Sequence, residues 1–530
     1  MKPLKLAVLL SITAVKEKKV MRTMKSFMMV LTFIIIVAPI LAESGFTGTT
    51  QKFRAQAPTA ALPAGEQPTR ASVERPIYFL VANNVNYVTG DDLRTNCDNL
   101  MRHMRLMETY GVQGEYYLTG LAAIAVAGAC PEVIEKLRQE QRLWYSHHGA
   151  NRPPRPMPID RVRGSNWEED VQAIIEYESC AIDPVTGALD CTQVGGLRNM
   201  IENIFVGAPL STGRFMQASI LYVTKLFGAR MCTGLKDNTG ASTEQAWFLG
   251  MLNRPDGPLF VNPSRDFLPW ALQGRGDLPA ELEASMAEVD RTQFNLMTFV
   301  MHDTDFFVGR TPAEQARIWQ RYEEIIQWAK NRPEIVFVTL EDIQDMAIDD
   351  RVRTFSKSDV ARAADFINSA VEGCPTSQCL PSYINLGDDY LSYTDAFQAF
   401  VFSLAAYGRT GSLPETVTVG DLLGPTEIVH LRTDRQTVGG EAVLTAAQAV
   451  AEGLSDRVAA RIQLAGVGEV NAAVFLYASA QEFKKIYELG TPGPVLLRDL
   501  TPLTAEAWEN RQADELTKLQ FWTFKPVRWK

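Results

Sequence analysis

From residue 76 onward the chain alternates between two textures. Runs dense in β-branched and aromatic residues, such as "PIYFLVANNVNYV" (76–88), give way to stretches whose apolar positions recur at helical spacing, such as "LRTNCDNLMRHMRLMETYG" (93–111). The first texture predicts a strand. The second predicts a helix closed by Gly111, since glycine takes the left-handed C-terminal conformation at no steric cost. The alternation continues through "VQGEYYLTG" (112–120), "CPEVIEKLRQEQ" (130–141) and "LWYSHHG" (143–149). It resumes in "MIENIFVGAPLS" (200–211), "FMQASILYVTKLFGARMCTG" (215–234) and "FNLMTFVMHDTDFF" (294–307). A long amphipathic helix and a last strand follow in "TPAEQARIWQRYEEIIQWAKNRPEIVFVTLEDI" (311–343), with Thr311 as cap and Pro312 in the first turn. Strand and helix in turn predict parallel strands joined by helical crossovers, closed into a barrel or left as an open doubly wound sheet. In both, ligands sit at the carboxyl ends of the strands.

Beyond about residue 350 the pattern changes to an internal repeat. Residues 383–426 align with 461–504, placing Phe397 on Phe475, Val417 on Val495 and Asp421 on Asp499. Each copy predicts a short strand, an aromatic-rich helix, a Pro/Gly turn and a second short strand. The helical stretches "SDVARAADFINSAV" and "EAVLTAAQAVAEGL" precede them. The aromatic stripe of each helix predicts core packing rather than a sugar platform.

The chain therefore divides into a targeting segment (1–42), a linker (43–75), a barrel (76–349) and a two-repeat domain (350–530). Residues 43–75 are rich in Ala, Pro, Thr and Gly and lack periodicity, as a flexible linker does. Before them, Lys16, Lys18, Lys19, Arg22 and Lys25 precede the apolar run "FMMVLTFIIIVAPILA" (27–42). That is the layout of a signal peptide ending at Ala42, or of a single-span anchor; either puts the rest of the chain outside the cytoplasm.

A formal net charge of −10 with no basic stretch in the folded part excludes non-specific nucleic-acid binding. Seven cysteines suit an exported protein. Cys374 with Cys379 and Cys180 with Cys191 are close enough in sequence to bridge, and the odd count leaves a thiol over. No C-x-x-C pair exists, which removes cysteine-based zinc ribbons and redox motifs.

The order of elements over residues 76–345, about half the chain, resembles the polysaccharide deacetylase family. "YGVQGEYYLTG" looks like its second strand, "LWYSHHG" like the strand bearing its His motif and "FVGAPLSTGRF" like its Arg-x-Pro loop. "LMTFVMHDTDFF" looks like the late strand ending in a catalytic His, and "IVFVTLEDI" like the closing strand. The resemblance implies an α/β fold: a deacetylase-like distorted (β/α) barrel, followed here by a smaller, mostly helical α+β repeat domain. It also implies a divalent metal, zinc or similar, held by a carboxylate and two histidines, with an Asp as base and the late His as acid.

Carried over residue by residue, the family's pattern is only partly kept. Asn83 and Asn84 stand where paired carboxylates are expected, with Asp91 and Asp92 a few residues on. The fourth residue after His147 is Asn151 and after His148 is Arg152, so the second histidine of the motif is missing. Alternation along a strand lets only one of His147 and His148 face inward. Gly207 replaces the loop arginine, with Arg214 the nearest stand-in. The late motif survives as His302-Asp303, with Asp305 beyond, and Asp266 and Trp270 match an Asp-Trp loop. The implied site is thus His302 and Asp303 for catalysis, Arg152, Arg214 and Trp270 for substrate, and His147, His148 and Asn84 for metal. Arg155 lies in the same stiff "NRPPRP" segment as Arg152.

The C-terminal copies resemble, more distantly, pseudomurein-binding-type surface repeats. Together these readings lead us to expect a secreted or cell-surface carbohydrate-active protein, a metal-dependent hydrolase removing acyl groups from a cell-wall or extracellular polysaccharide. The alternative is a catalytically inactive deacetylase-like protein acting in glycan binding or surface structure. A lyase or glycosidase is disfavoured because no carboxylate pair can be placed. Membrane contact is expected only through an N-terminal anchor.

Overall fold

The computed structural model describes residues 74–140, 142–145, 162–164, 166–208, 211–213, 217–234, 245–255, 259–387, 389–431, 433, 435–504 and 514–530. The targeting segment and nearly all of the linker lie outside these residues. Ser72–Lys530 forms one compact unit.

The elements of its first part, in chain order, are β1 (Ile77–Val85), α1 (Asp91–Tyr110), β2 (Glu115–Leu118), α2 (Gly120–Ala129), α3 (Pro131–Glu140), β3 (Arg142–Tyr145), α4 (Trp167–Ser179), β4 (Cys180–Ile182), β5 (Leu189–Val194), β6 (Ser211–Gly213), α5 (Ala218–Leu226), β7 (Met231–Gly234), β8 (Ala246–Phe248), β9 (Met251–Pro255), β10 (Leu259–Val261), α6 (Leu268–Gln273), α7 (Leu278–Glu288), β11 (Asn295–His302), α8 (Pro312–Lys330), β12 (Ile335–Phe337) and α9 (Leu340–Met346). Strands β10-β11-β1-β2-β3 form a parallel sheet, and β12 pairs with the first three residues of β1. The central strand is buried on both faces, which is why "IYFLVA" reads as one apolar run. Ile77, Phe79 and Val81 join Met297, Phe299 and Met301 of β11 beneath Ile318, Tyr322 and Ile325 of α8. Leu80 and Ala82 point the other way, to Tyr117, Leu296 and Val300.

That inner face is shared with a second sheet, ordered β21-β8-β9-β7-β6, where β21 is Lys525–Pro526. Met231, Trp247 and Leu252 of this sheet pack into the same apolar interior. Here the structure corrects the expectation of one barrel: among the described residues the strands do not close into a single hydrogen-bonded ring. The tight turn between β8 and β9 reverses the chain, and the free edge of β8 is taken antiparallel by β21, from the far end of the chain.

Residues 352–496 run twice through one order of elements. The first run is β13 (Val352–Ser356), α10 (Lys357–Glu372), β14 (Ile384–Asn385), β15 (Tyr390–Leu391), α11 (Tyr393–Thr410) and β16 (Thr416–Gly420). The second is β17 (Thr437–Val438), α12 (Gly440–Gly453), β18 (Arg461–Leu464), β19 (Gly468–Asn471), α13 (Ala472–Leu489) and β20 (Val495–Leu496). In each, first and last strands pair antiparallel and the middle two form a hairpin. Ser392 caps α11 and Asn471 caps α13, while Gly411 and Gly490 end them in the left-handed conformation. The two runs share one core, with α10 against α13, α11 against α12, and Phe397 facing Phe475 at 6.0 Å between ring centroids. Neither run buries its apolar face alone.

After them, α14 (Glu515–Leu519) and β21 return to the first part. Leu516, Leu519, Phe521 and Phe524 enter the core formed by α1, α2 and α3, and Trp529 stacks on Phe294 at 3.7 Å. Lys525 carries its charge into this seam: Nζ lies 2.9 Å from Asp395 Oδ2 and 3.4 Å from Asp350 Oδ2. Asp350 also receives Arg353 Nε at 2.9 Å, and Arg528 reaches both Asp350 and Asp389.

Three disulfides form. Cys180–Cys191 spans the β4–β5 hairpin and Cys374–Cys379 closes the loop after α10, the two short-range pairs expected from spacing. Cys97–Cys130, joining α1 to the start of α3, was not legible in the spacing, and Cys232, which is buried, is the cysteine outside these three bridges.

Two predictions follow from this packing. Lys525→Met leaves Asp350 and Asp395 buried without their shared cation, and is expected to cost about 3–5 kcal/mol in urea denaturation; a loss below about 1 kcal/mol would show that Arg353 and Arg528 suffice. The second concerns His103, fully buried on α1, with Nδ1 2.7 Å from the Tyr116 hydroxyl and Nε2 2.5 Å from that of Tyr322. Burial pushes its imidazole down to about 3. The folded value lies below the unfolded one of about 6.5, so its contribution is whole above that pH and is lost at about 1.4 kcal/mol per unit as pH falls towards 3. Between pH 7 and pH 5 the wild type should therefore lose about 2 kcal/mol relative to His103→Gln; equal losses in the two proteins would mean that His103 does not titrate in this range.

Candidate functional site

Strand register sets the site. Asn84, the penultimate residue of β1, stands opposite His302 at the end of β11 and Tyr117 on β2. All three continue the inward-facing series: Leu80 and Ala82 lead to Asn84, and Leu296 and Val300 lead to His302. Asn83 therefore points to the opposite, helix-covered face, where it is 2% exposed and its Oδ1 has no partner among the described residues.

The stretch His302-Asp303-Thr304-Asp305 divides its work among its polar residues. His302 is one-third exposed, and its Nδ1 lies 3.2 Å from Asp305 Oδ2. The same carboxylate oxygen accepts the His302 backbone N–H at 3.1 Å, because Asp305 is the third residue of the 3-10 turn that follows the strand. One short turn thus anchors both the backbone and the ring of His302.

Asp303 is turned inward and is 1% exposed. It accepts the backbone N–H and the side-chain amide of Asn86, each at 3.0 Å, the Asn96 amide of α1 at 2.5 Å and the Thr304 N–H at 2.8 Å. Burial raises its carboxyl to about 6, against the opposing pull of these donors. These bonds tie the end of β11 to the loop after β1 and to the first turns of α1. Sequence reading placed Asp303 among catalytic groups. In the structure it is a tie between elements, while the adjacent Asp305 holds the exposed imidazole.

The other expected residues fall as follows. His147, His148, Arg152, Arg155 and Arg214 lie outside the described residues. β3 is described to Tyr145, opposite Leu118 of β2, so its carboxyl end lies beside those of β1 and β2. Trp270 lies on α6 and is 6% exposed, packed on Phe267 with the Arg321 guanidinium 4.6 Å above its ring. It belongs to the core under α8, on the face of the sheet away from His302. Asp266 accepts Arg265 and the Asn262 backbone N–H. Asp91 and Asp92 are exposed in the first turn of α1, where carboxylates favour the positive helix end.

A metal would need several anionic or imidazole donors converging. Among the described residues no group of three or more His, Cys, Asp or Glu side chains is so placed. Asn84 offers a neutral amide, and one nitrogen of His302 is engaged by Asp305. These residues do not fit a metal site on their own. What they provide is a partly exposed imidazole, oriented by a carboxylate, beside an amide and a tyrosine at the carboxyl ends of parallel strands. Asp305, Asn86 and Asn96 were not legible as a group, since they come together only through the crossing of three elements.

Searches against protein-family models and curated proteins find no match. Solved structures similar to this chain include the 4-alpha-glucanotransferase of Thermococcus litoralis, at 11% identity and TM-score 0.34, covering 51% of this chain and 40% of that one. This chain thus spans less than half the length of that enzyme. A probable polysaccharide deacetylase of Pseudomonas aeruginosa is similar at 11% identity and TM-score 0.32, covering 51% and 90% of the two chains. A CE4 esterase of Streptococcus mutans is similar at 13% identity and TM-score 0.27, covering 50% and 85%. Likenesses at this level assign the chain no activity.

Proposed function

We propose that the protein is an exported carbohydrate-active hydrolase that removes acyl groups from a cell-wall or extracellular polysaccharide, with His302 as its proton-transfer group. The observation that carries the reading is the His302–Asp305 pair, placed in register with Asn84 at the carboxyl ends of β11 and β1. A carboxylate on Nδ1 fixes the tautomer in which that nitrogen bears hydrogen, leaving Nε2 to exchange a proton with substrate.

The chemistry is then simple to balance. Water adds to the acyl carbonyl as His302 takes one of its protons, the bond from the acyl carbon to the sugar's nitrogen or oxygen breaks, and His302 passes that proton to the departing amine or alcohol. The Asn84 amide is placed to donate to the oxyanion that forms in between. In this reading Asp303 is a positioning residue and Trp270 a structural one. His147, His148, Arg152 and Arg214 remain proposed contributors, the histidines to a divalent metal and the arginines to substrate. Three disulfides favour an oxidising compartment, in keeping with a secreted or cell-surface protein. The doubled units of residues 350–530 are proposed to hold the protein on wall glycan.

The test uses residues 43–530, with an acetylated chito-oligosaccharide and a chromogenic acetate ester as substrates. His302→Ala is expected to lower kcat/KM by about 10²–10⁴-fold. Asp305→Asn should lower it by about tenfold or more, by disturbing the tautomer rather than removing the imidazole. Wild-type protein that sediments with isolated wall glycan yet turns over neither substrate faster than His302→Ala would replace this reading with glycan binding without catalysis.

A further inference from the structure

A second polar site lies apart from Asn84 and His302. The β8–β9 hairpin turns through Leu249 and Gly250, with φ of 48° and 66°. Such two-residue turns favour Asn-Gly, and Leu249 is the one non-glycine residue with positive φ among the described residues. Strain of this kind persists only where its surroundings hold it in place. They do so here, since a Cβ on Gly250 would come within 2.3 Å of Arg351 Cγ and 2.7 Å of Asp421 Oδ2. The turn is thereby fixed as one wall of a cleft of about 420 Å³, within the size range of sites for small organic ligands.

Part of the charge lining this cleft is already paired. Arg351 grips Asp349 through Nη2 at 2.6 Å and Nε at 3.0 Å, and Lys530 donates to the Asp345 backbone carbonyl at 2.6 Å. The Glu341 carboxylate also lines the cleft, and beside it stand donors. Lys225 is half-buried with no carboxylate within 4 Å among the described residues; burial lowers its pKa, and Asp421 and Asp349 oppose that only from farther off. The Trp247 side chain is 4% exposed and its indole N–H has no acceptor among the described residues. Arg230 stands exposed at the rim, as does Asp345. An exposed charge is well served by water, whereas a half-buried ammonium and a buried N–H are not.

We propose that this cleft binds a small anionic ligand, a sugar bearing a carboxylate or phosphate group, whose anionic oxygens are received by Lys225, Arg230 and the Trp247 indole N–H. None of these side chains takes part in the proposed acyl-transfer site, so the inference stands or falls separately from it.

The experiment is calorimetric titration of the protein, residues 43–530, with glucuronate, inorganic phosphate and glucose. Binding of glucuronate, phosphate or both is expected, with glucose silent, and the preferred anion separates the carboxylate source from the phosphate source. Lys225→Met and Trp247→Phe should each weaken binding by about tenfold, as loss of one charge-assisted hydrogen bond does. Trp247→Phe keeps an aromatic ring in the core while removing the N–H with part of the indole, and Lys225→Met, outside that core, guards against a result that reflects only failure to fold. Three results would overturn the proposal: no heat from either anion, glucose binding as tightly as glucuronate, or anion affinity within twofold of wild type in both variants.

Discussion

The ammonium of Lys525 in its buried pocket of carboxylates is the interaction on which the arrangement of the chain rests. It meets Asp350, at the entry to the doubled units, and Asp395, in the first turn of α11, while its own strand pairs with β8. Three segments far apart in sequence thus converge on one charge. A buried ion pair adds little net stability when complete, because desolvation offsets attraction, yet any misplacement leaves a charge unpaired in the interior. The cluster therefore acts as a register mark. Apolar packing by Phe521, Phe524 and Trp529 supplies the attraction, and the ions restrict it to one alignment.

The same division between attraction and alignment recurs at the ends of the parallel strands. Inward alternation brings Asn84 and His302 to one face, and Asp303 ties the loop after β1 to the end of β11 from below. Asp305 then orients His302, the accessible imidazole there among the described residues. Two acids two residues apart serve such different purposes because a 3-10 turn begins between them and the strand: one carboxylate turns into the interior and the other folds back over the ring. On the far side of the sheet, the hydroxyls of Tyr116 and Tyr322 hold another histidine, His103, in a buried setting that favours its neutral form.

Patterns of period 2 and 3.6 made the elements of the parallel sheet legible, from β1 to the long helix α8, because their apolar faces are continuous in sequence. The Thr311 cap and the stop at Gly111 were legible for the same local reason. The outer edge of the second sheet was not: it is closed by β21 joining β8, a pairing between segments nearly three hundred residues apart that no window of sequence contains. At the site, His302 was legible as the end of an apolar strand. The different settings of Asp303 and Asp305 were not, since they are decided by the turn and by amides arriving from the loop after β1 and from α1. Trp270, an aromatic residue read as a sugar contact, packs in the core under α8.

The antiparallel pairing of β21 with β8 also has a meaning in time. During synthesis at about 5–20 residues per second, β8 leaves the ribosome roughly a quarter of a minute to a minute before its partner exists. Until then its outer edge is an open row of backbone donors and acceptors, the kind of surface on which chains pair wrongly with one another. A protein built this way gains from being kept unfolded until residues 525–526 are available. Chaperone-held transport of the complete chain would supply that delay, whereas folding domain by domain on the ribosome would not.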